Sequence, residues 1–149
     1  GGERLRAARR RGETVRPFRV KGLGGTPLSS GGLKGRVAVI DFWGLWCPAC
    51  VAAMPELQRL AEKYRDDPEV VIVTVDVWDL VPTVEKWLKK NGVTIPVLLE
   101  EDYVDRVGID AYPTTWFLDR EGRLVYSLSG NAGDLVEEDS WLIEDLKSR

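Results

Sequence analysis

The sequence predicts an α/β protein, a mixed β-sheet carrying helices on both faces. Three observations lead there. Two apolar runs, Val37-Ala38-Val39-Ile40 and Val70 to Val77, read as strands buried on both sides, the pattern of central or parallel strands. Between them Met54, Leu57, Leu60, Ala61 and Tyr64 recur at helical spacing. Near the end, Thr114 to Asp119 and Leu124 to Leu128 flank the turn Arg120-Glu121-Gly122, as the arms of an antiparallel hairpin do.

Taken in order, residues 1–12 favour helix by composition but offer almost no apolar face, so a frayed helix ended by Gly12 is expected. Residues 1–15 read as a basic tail and residues 16–149 as the domain. Phe18-Arg19-Val20 alternates like an edge strand, and Gly22, Gly24, Gly25 and Pro27 turn the chain. Arg36 to Trp43 forms the first central strand, and a helix runs from Ala49 to Arg65 with a kink expected at Pro55. After the Val70–Val77 strand, Pro82 opens a helix through Lys90, with Val84, Trp87 and Leu88 inward and Asn91-Gly92 as its C-cap pair. Ile95 to Leu99 is a short strand, Tyr103 to Val107 a short helix, and the last helix places Leu135, Leu142 and Leu146 on one face. The element order is β-β-α-β-α-β-α-β-β-α.

At 149 residues the chain is one ordinary domain, 44% hydrophobic and 30% charged, as soluble globular proteins are. No apolar run reaches the length of a membrane span. A net charge of −3 gives no reason to expect nucleic acid as a partner. Charge is uneven, however. Residues 1–19 hold seven arginines against Glu3 and Glu13, read as a solvated tail or a segment next to a membrane anchor lying upstream. Asp134, Glu137, Glu138, Asp139, Glu144 and Asp145 read as a solvated acidic helix face.

The chemistry sits in Asp41-Phe42-Trp43-Gly44-Leu45-Trp46-Cys47-Pro48-Ala49-Cys50, which holds both cysteines of the chain. A strand that delivers Cys-x-x-Cys to the first turn of a helix places the first sulfur near unpaired N–H groups and the positive end of the helix dipole, which favour thiolate. The second lies about one turn along, within reach of a mixed disulfide on the first. The pattern reads as a thiol–disulfide exchange site. A structural zinc site needs about four ligands, and the chain has two thiols and no histidine. A purely structural disulfide closing so short a loop removes little unfolded-state entropy. Inert buried thiols fit poorly beside a tryptophan and a proline. Asp41 would be costly to bury as an unpaired charge, so a carboxyl with a raised pKa is expected, exchanging protons with the dithiol through a water.

These residues resemble the thioredoxin superfamily. Asp41 stands six before the first cysteine, Trp43 four before, Trp46 immediately before and Pro55 eight after. Tyr112-Pro113-Thr114-Thr115 is similar to its second signature, a cis proline facing the cysteine pair. The segment Pro17–Leu33 and the helix and strand at 82–99 resemble the extracytoplasmic TlpA-like and ResA-like branch, the redoxins. The resemblance implies a thioredoxin-like mixed sheet with an N-terminal strand extension and a central helix–strand insert. It implies Cys47 as nucleophile, Cys50 as resolving thiol and Asp41 as proton shuttle. It also implies a substrate groove of Trp46, Tyr112, Pro113 and Thr114, with Pro48 and Ala49 tuning the couple. Protein thiols and disulfides are the implied substrates, reduction the expected direction, and an upstream electron donor the implied partner. No cofactor or metal is expected. The implied compartment is extracytoplasmic, with the cytoplasm as the alternative. Ala53 stands where that branch often has glutamate, and Asp41 where it often has asparagine.

Two rival readings have discriminating residues. A peroxidase of the peroxiredoxin type places threonine three residues before its cysteine, where this chain has Gly44. A metal-carrying or redox-inert scaffold on this fold uses a wider cysteine spacing and a distal histidine, and the chain has no histidine.

Overall fold

A computed structural model describes residues 9–10, 19–21, 27–99, 101–130 and 134–149. The glycine-rich turn expected at residues 22–25 and most of the basic tail lie outside them. The described strands are β1 (Arg9–Arg10), β2 (Arg19–Lys21), β3 (Pro27–Ser29), β4 (Val37–Trp43), β5 (Val70–Asp76), β6 (Val97–Leu99), β7 (Thr114–Leu118) and β8 (Leu124–Ser129). The α-helices are α1 (Pro48–Lys63), α2 (Val81–Asn91), α3 (Glu101–Val107) and α4 (Leu135–Lys147). A short 3-10 turn, Ser30–Leu33, precedes β4.

The main sheet runs β1-β8-β7-β4-β5-β6, and β2 pairs with β3 in a separate antiparallel ribbon. β4 is central, as its unbroken apolar run predicts, with every residue buried. It pairs parallel with β5, Asp41 opposite Thr74 and Trp43 opposite Asp76, and antiparallel with β7, Asp41 opposite Thr115. Arg9–Arg10 adds to the free edge of β8, opposite Ser127 and Tyr126, where a helix was expected. Unpaired N–H and C=O groups along an open edge outweigh the weak helix preference of a segment without an apolar face.

Period-2 alternation separates two cores. Val37, Val39 and Trp43 face one side, where they pack with Met54, Leu57 and Leu60 of α1, Val84 and Leu88 of α2, and Leu142 and Ile143 of α4. Ala38, Ile40 and Phe42 face the other, with Tyr103 and Val104 of α3. Helices therefore cover both faces. Asp41 falls on the α1 face by the same alternation.

The ends of the elements follow local chemistry. Gly92 takes φ 65° and its N–H reaches Leu88 O and Lys89 O, closing α2 as an αL cap. The Asp119 carboxylate accepts the N–H groups of Glu121 and Arg123 at 3.0 and 2.9 Å and shapes the β7–β8 turn. α1 runs on through Pro55 to Lys63.

The acidic face of α4 departs from expectation. Glu137 and Glu144 are exposed, but Glu138 and Asp139 are buried. With Leu135, Leu142, Ile143 and Leu146 they occupy the i, i+3, i+4 stripe that docks on the sheet, so the helix period carries them inward. Among the described residues no helix is long and apolar enough to cross a membrane.

Candidate active site

β4 ends at Trp43 and α1 starts at Pro48, so four residues carry the chain from the sheet edge into the helix. Cys47 is the N-cap, with φ −106° and ψ 105°, and Pro48 takes the first helical position, where its missing N–H costs nothing. The Cys47 sulfur accepts the Cys50 N–H at 3.2 Å. One of the orphan donors of the helix start thus points at sulfur, and the dipole of a 16-residue helix adds to it. Both effects favour negative charge on Cys47.

Cys47 and Cys50 are joined as a disulfide, their Cα atoms 5.2 Å apart. Cys50 is 1% exposed and faces the core with Met54; Cys47 is 7% exposed and lies at the surface end. Pro48 and Ala49 are exposed beside them.

The loop from Gly44 to Trp46 is laced to the loop after β5. Val77 N–H donates to Trp43 O at 2.9 Å, Leu45 N–H to Asp79 Oδ2 at 2.7 Å, and Trp46 Nε1–H to Val77 O at 2.7 Å. This fixes the indole over Gly44. A β-carbon at Gly44 would run into the ring, 2.6 Å from Cε2 and 2.8 Å from Cδ1. The threonine of a peroxiredoxin-type site has no room here.

The Tyr112–Pro113 peptide is cis, and Tyr112 O lies 3.7 Å from Cys47 Sγ. Tyr112 also packs edge-on to Trp46, ring centroids 5.1 Å apart. Cys47, Trp46 and Tyr112 therefore meet, with Pro113 joined to Tyr112 through the cis bond, although 65 residues separate Cys47 from Tyr112. Thr114 is buried and turns its hydroxyl to Ala111 O at 2.6 Å and Ser129 Oγ at 3.1 Å, away from solvent.

Asp41 is 5% exposed and accepts a hydrogen bond from Thr115 Oγ1 at 2.9 Å. Thr74 flanks it from β5, so the carboxyl sits in a small polar island on the α1 face of the sheet. Tyr112 titrates above its ordinary value. Burial pushes its phenol up, and the charges of Asp105 and Asp110 push it further.

Three residues of this region were not read from the sequence as site residues. Trp78 is 52% exposed and holds φ 65°, a conformation that costs a bulky L-residue about 1–2 kcal/mol. Its ring lies 5.3 Å from that of Trp46 and 5.7 Å from that of Tyr112. Asp79 anchors Leu45, as above. Asp76, buried opposite Trp43, adds a second carboxyl on the α1 face of the sheet. A usable signal was present: Asp76-Val77-Trp78-Asp79 follows the C-terminal end of a parallel strand next to β4, where α/β sheets place their ligands.

A family model described as Redoxin matches residues 10–140. The chain is 28% identical over 142 residues to the thiol-disulfide oxidoreductase ResA of Halalkalibacterium halodurans, covering 93% of this chain and 80% of that one. Among solved structures it is similar to StoA from Bacillus subtilis, with TM-score 0.74, 25% identity, and 86% of this chain and 97% of that one covered. It is also similar to a thioredoxin-family thiol:disulfide interchange protein from Chlorobium tepidum TLS, with TM-score 0.80, 22% identity, and 91% and 97% covered. The last likeness speaks for the fold alone, and the fold is the expected thioredoxin-like sheet with helices on both faces.

Proposed function

The chain belongs to the redoxin family, and from that premise we propose that its Cys47–Cys50 couple reduces protein disulfides outside the cytoplasm. It is a thiol–disulfide oxidoreductase acting on protein thiols and disulfides. The observation that carries the mechanism is the Cys47 sulfur at the N-cap of α1, facing the N–H of Cys50.

In the reduced protein the Cys47 thiolate attacks one sulfur of a substrate cystine. A mixed disulfide forms, and the other substrate sulfur leaves as a thiolate that takes a proton from water. Cys50 passes its proton to the Asp41 carboxylate through a water and attacks Cys47 Sγ. The second substrate thiolate leaves, and the pair ends as a disulfide. Two electrons have moved to the substrate, and Asp41 releases its proton to solvent. Trp46, Tyr112 and Pro113 line the approach to Cys47, and an extended substrate segment fits against them. Thr114, its hydroxyl bonded to Ala111 O, continues that edge. Pro48 and Ala49, the two residues inside the motif, set the potential of the couple.

An upstream donor returns two electrons to the disulfide after each turnover. The seven arginines of residues 1–19 suit an anionic lipid surface, which supports a position next to a membrane. Fractionation of cells expressing the full-length protein tests that placement, and recovery in the cytosol would reject it.

The deciding measurement is the reduction potential of the Cys47–Cys50 couple, by equilibration against a dithiol buffer with tryptophan emission as readout. A value near the reducing end of this fold, about −270 mV, supports the reductase. A value near about −120 mV reverses the direction.

A further inference from the structure

We infer that Trp46, Trp78 and Tyr112 form an open aromatic cup beside Cys47 that receives a lysine or arginine side chain next to the attacked cysteine of the substrate. The inference rests on the disulfide-exchange reading of the same site and adds the substrate class to it.

The three rings come from three separate loops and meet at 5.1, 5.3 and 5.7 Å between centroids. Their planes cross at 77°, 36° and 57°, so they enclose a corner rather than a stack. Trp46 and Trp78 are each about half exposed. A cluster of this size left open at the rim of a reactive sulfur marks a contact surface. Trp78 keeps its place there against its own backbone preference, at φ 65°. Outliers of that kind persist where the position of the side chain matters.

Charge decides which side chain fits. The stretches carrying Trp78 and Tyr112 hold Asp76, Asp79, Asp105 and Asp110, against Arg106 alone. Arg106 is turned onto the Tyr103 ring, 5.6 Å from its centroid. Burial raises the Tyr112 phenol, and the charges of Asp105 and Asp110 add to it, so both aspartates lie close enough for their fields to reach the ring. Ring faces are themselves negative, so an apolar guest gains contact area alone, while a cation gains both the ring and the aspartate fields. Leu80 and Val81, exposed just after Trp78 in the chain, offer apolar surface suited to the methylene stem of lysine or arginine. An acidic guest meets repulsion.

The test uses three synthetic cystine-bridged peptides, identical except for Lys, Leu or Glu beside the attacked cysteine. Rates are measured with the reduced protein and, to remove the intrinsic reactivity of each peptide, with dithiothreitol. After that normalisation the Lys peptide should react about tenfold faster than the Leu peptide at low salt. The Glu peptide should be slowest, and the spread should narrow at high salt. Trp78→Gly suits the left-handed backbone and removes the ring, so the Lys-to-Leu ratio should fall toward one; Trp78→Phe should keep part of it. Equal normalised rates, or a Leu peptide that leads, overturn the cationic cup while the oxidoreductase stands. Failure to exchange with every peptide overturns the reading beneath it as well.

Discussion

Gly44→Ala tests whether the Trp46 ring is built into the site. The backbone at Gly44 is not left-handed, so alanine is allowed there and stiffening the unfolded chain would add about 0.4–1 kcal/mol of stability. The ring reverses that sign. A β-carbon would stand 2.6 and 2.8 Å from Cε2 and Cδ1, closer than β-carbons approach any atom, so the indole has to swing out. It then loses the hydrogen bond to Val77 O, about 1 kcal/mol, and its contacts with Trp78 and Tyr112, about 0.5–1.5 kcal/mol each. The net is a destabilisation of about 1–3.5 kcal/mol, which in a chain of this size lowers Tm by roughly 3–10 °C. Thermal unfolding by circular dichroism measures the first part. Tryptophan emission and the rate of disulfide exchange measure the displaced ring, and the rate should fall with it. A variant as stable as the parent, with the same emission and the same rate, would refute the reasoning.

Three further outcomes are expected. Cys50→Ser should accumulate mixed disulfides through Cys47 that a non-reducing gel resolves, and no adduct with any protein disulfide would reject the assigned order of attack. Asp41→Asn should slow exchange near pH 7 on the order of 10²-fold and flatten its pH–rate profile, whereas an unchanged profile removes Asp41 from proton transfer. Asp67 is held below the ordinary carboxylate range by the hydrogen bond from Lys147, at 2.6 Å, and by the Glu69 N–H. A depressed pKa stabilises the fold above the unfolded value, near 3.8, and that stability is lost as pH falls through the folded value. Asp67→Asn should therefore lower Tm at pH 7 and match the parent once the carboxyl is protonated in both states; a constant difference down to acid pH would contradict this.

The sequence made the centre of the molecule legible and left its rim obscure. β4 and β5 could be read because both their faces are apolar, and the cysteines followed because a strand–helix junction is a local event. The proline opposite them was reached only through a second motif, since nothing local brings Tyr112 to Cys47. Arg9–Arg10 was misread because pairing with β8 is a long-range gain that composition cannot register. Glu138 and Asp139 were read by charge when their spacing from Leu135 and Leu142 already placed them on the buried stripe. Trp78 escaped notice because exposure and a positive φ exist only once the chain has folded.

The inner sulfur is sealed beneath the outer one, and this limits the traffic through the protein. On the mechanism proposed above, everything that gives or takes electrons comes to Cys47, at a single mouth. Donor and target therefore take turns, compete for the same footprint and cannot be held together. The cycle is double-displacement by construction, and an excess of either protein should inhibit the other's half of it.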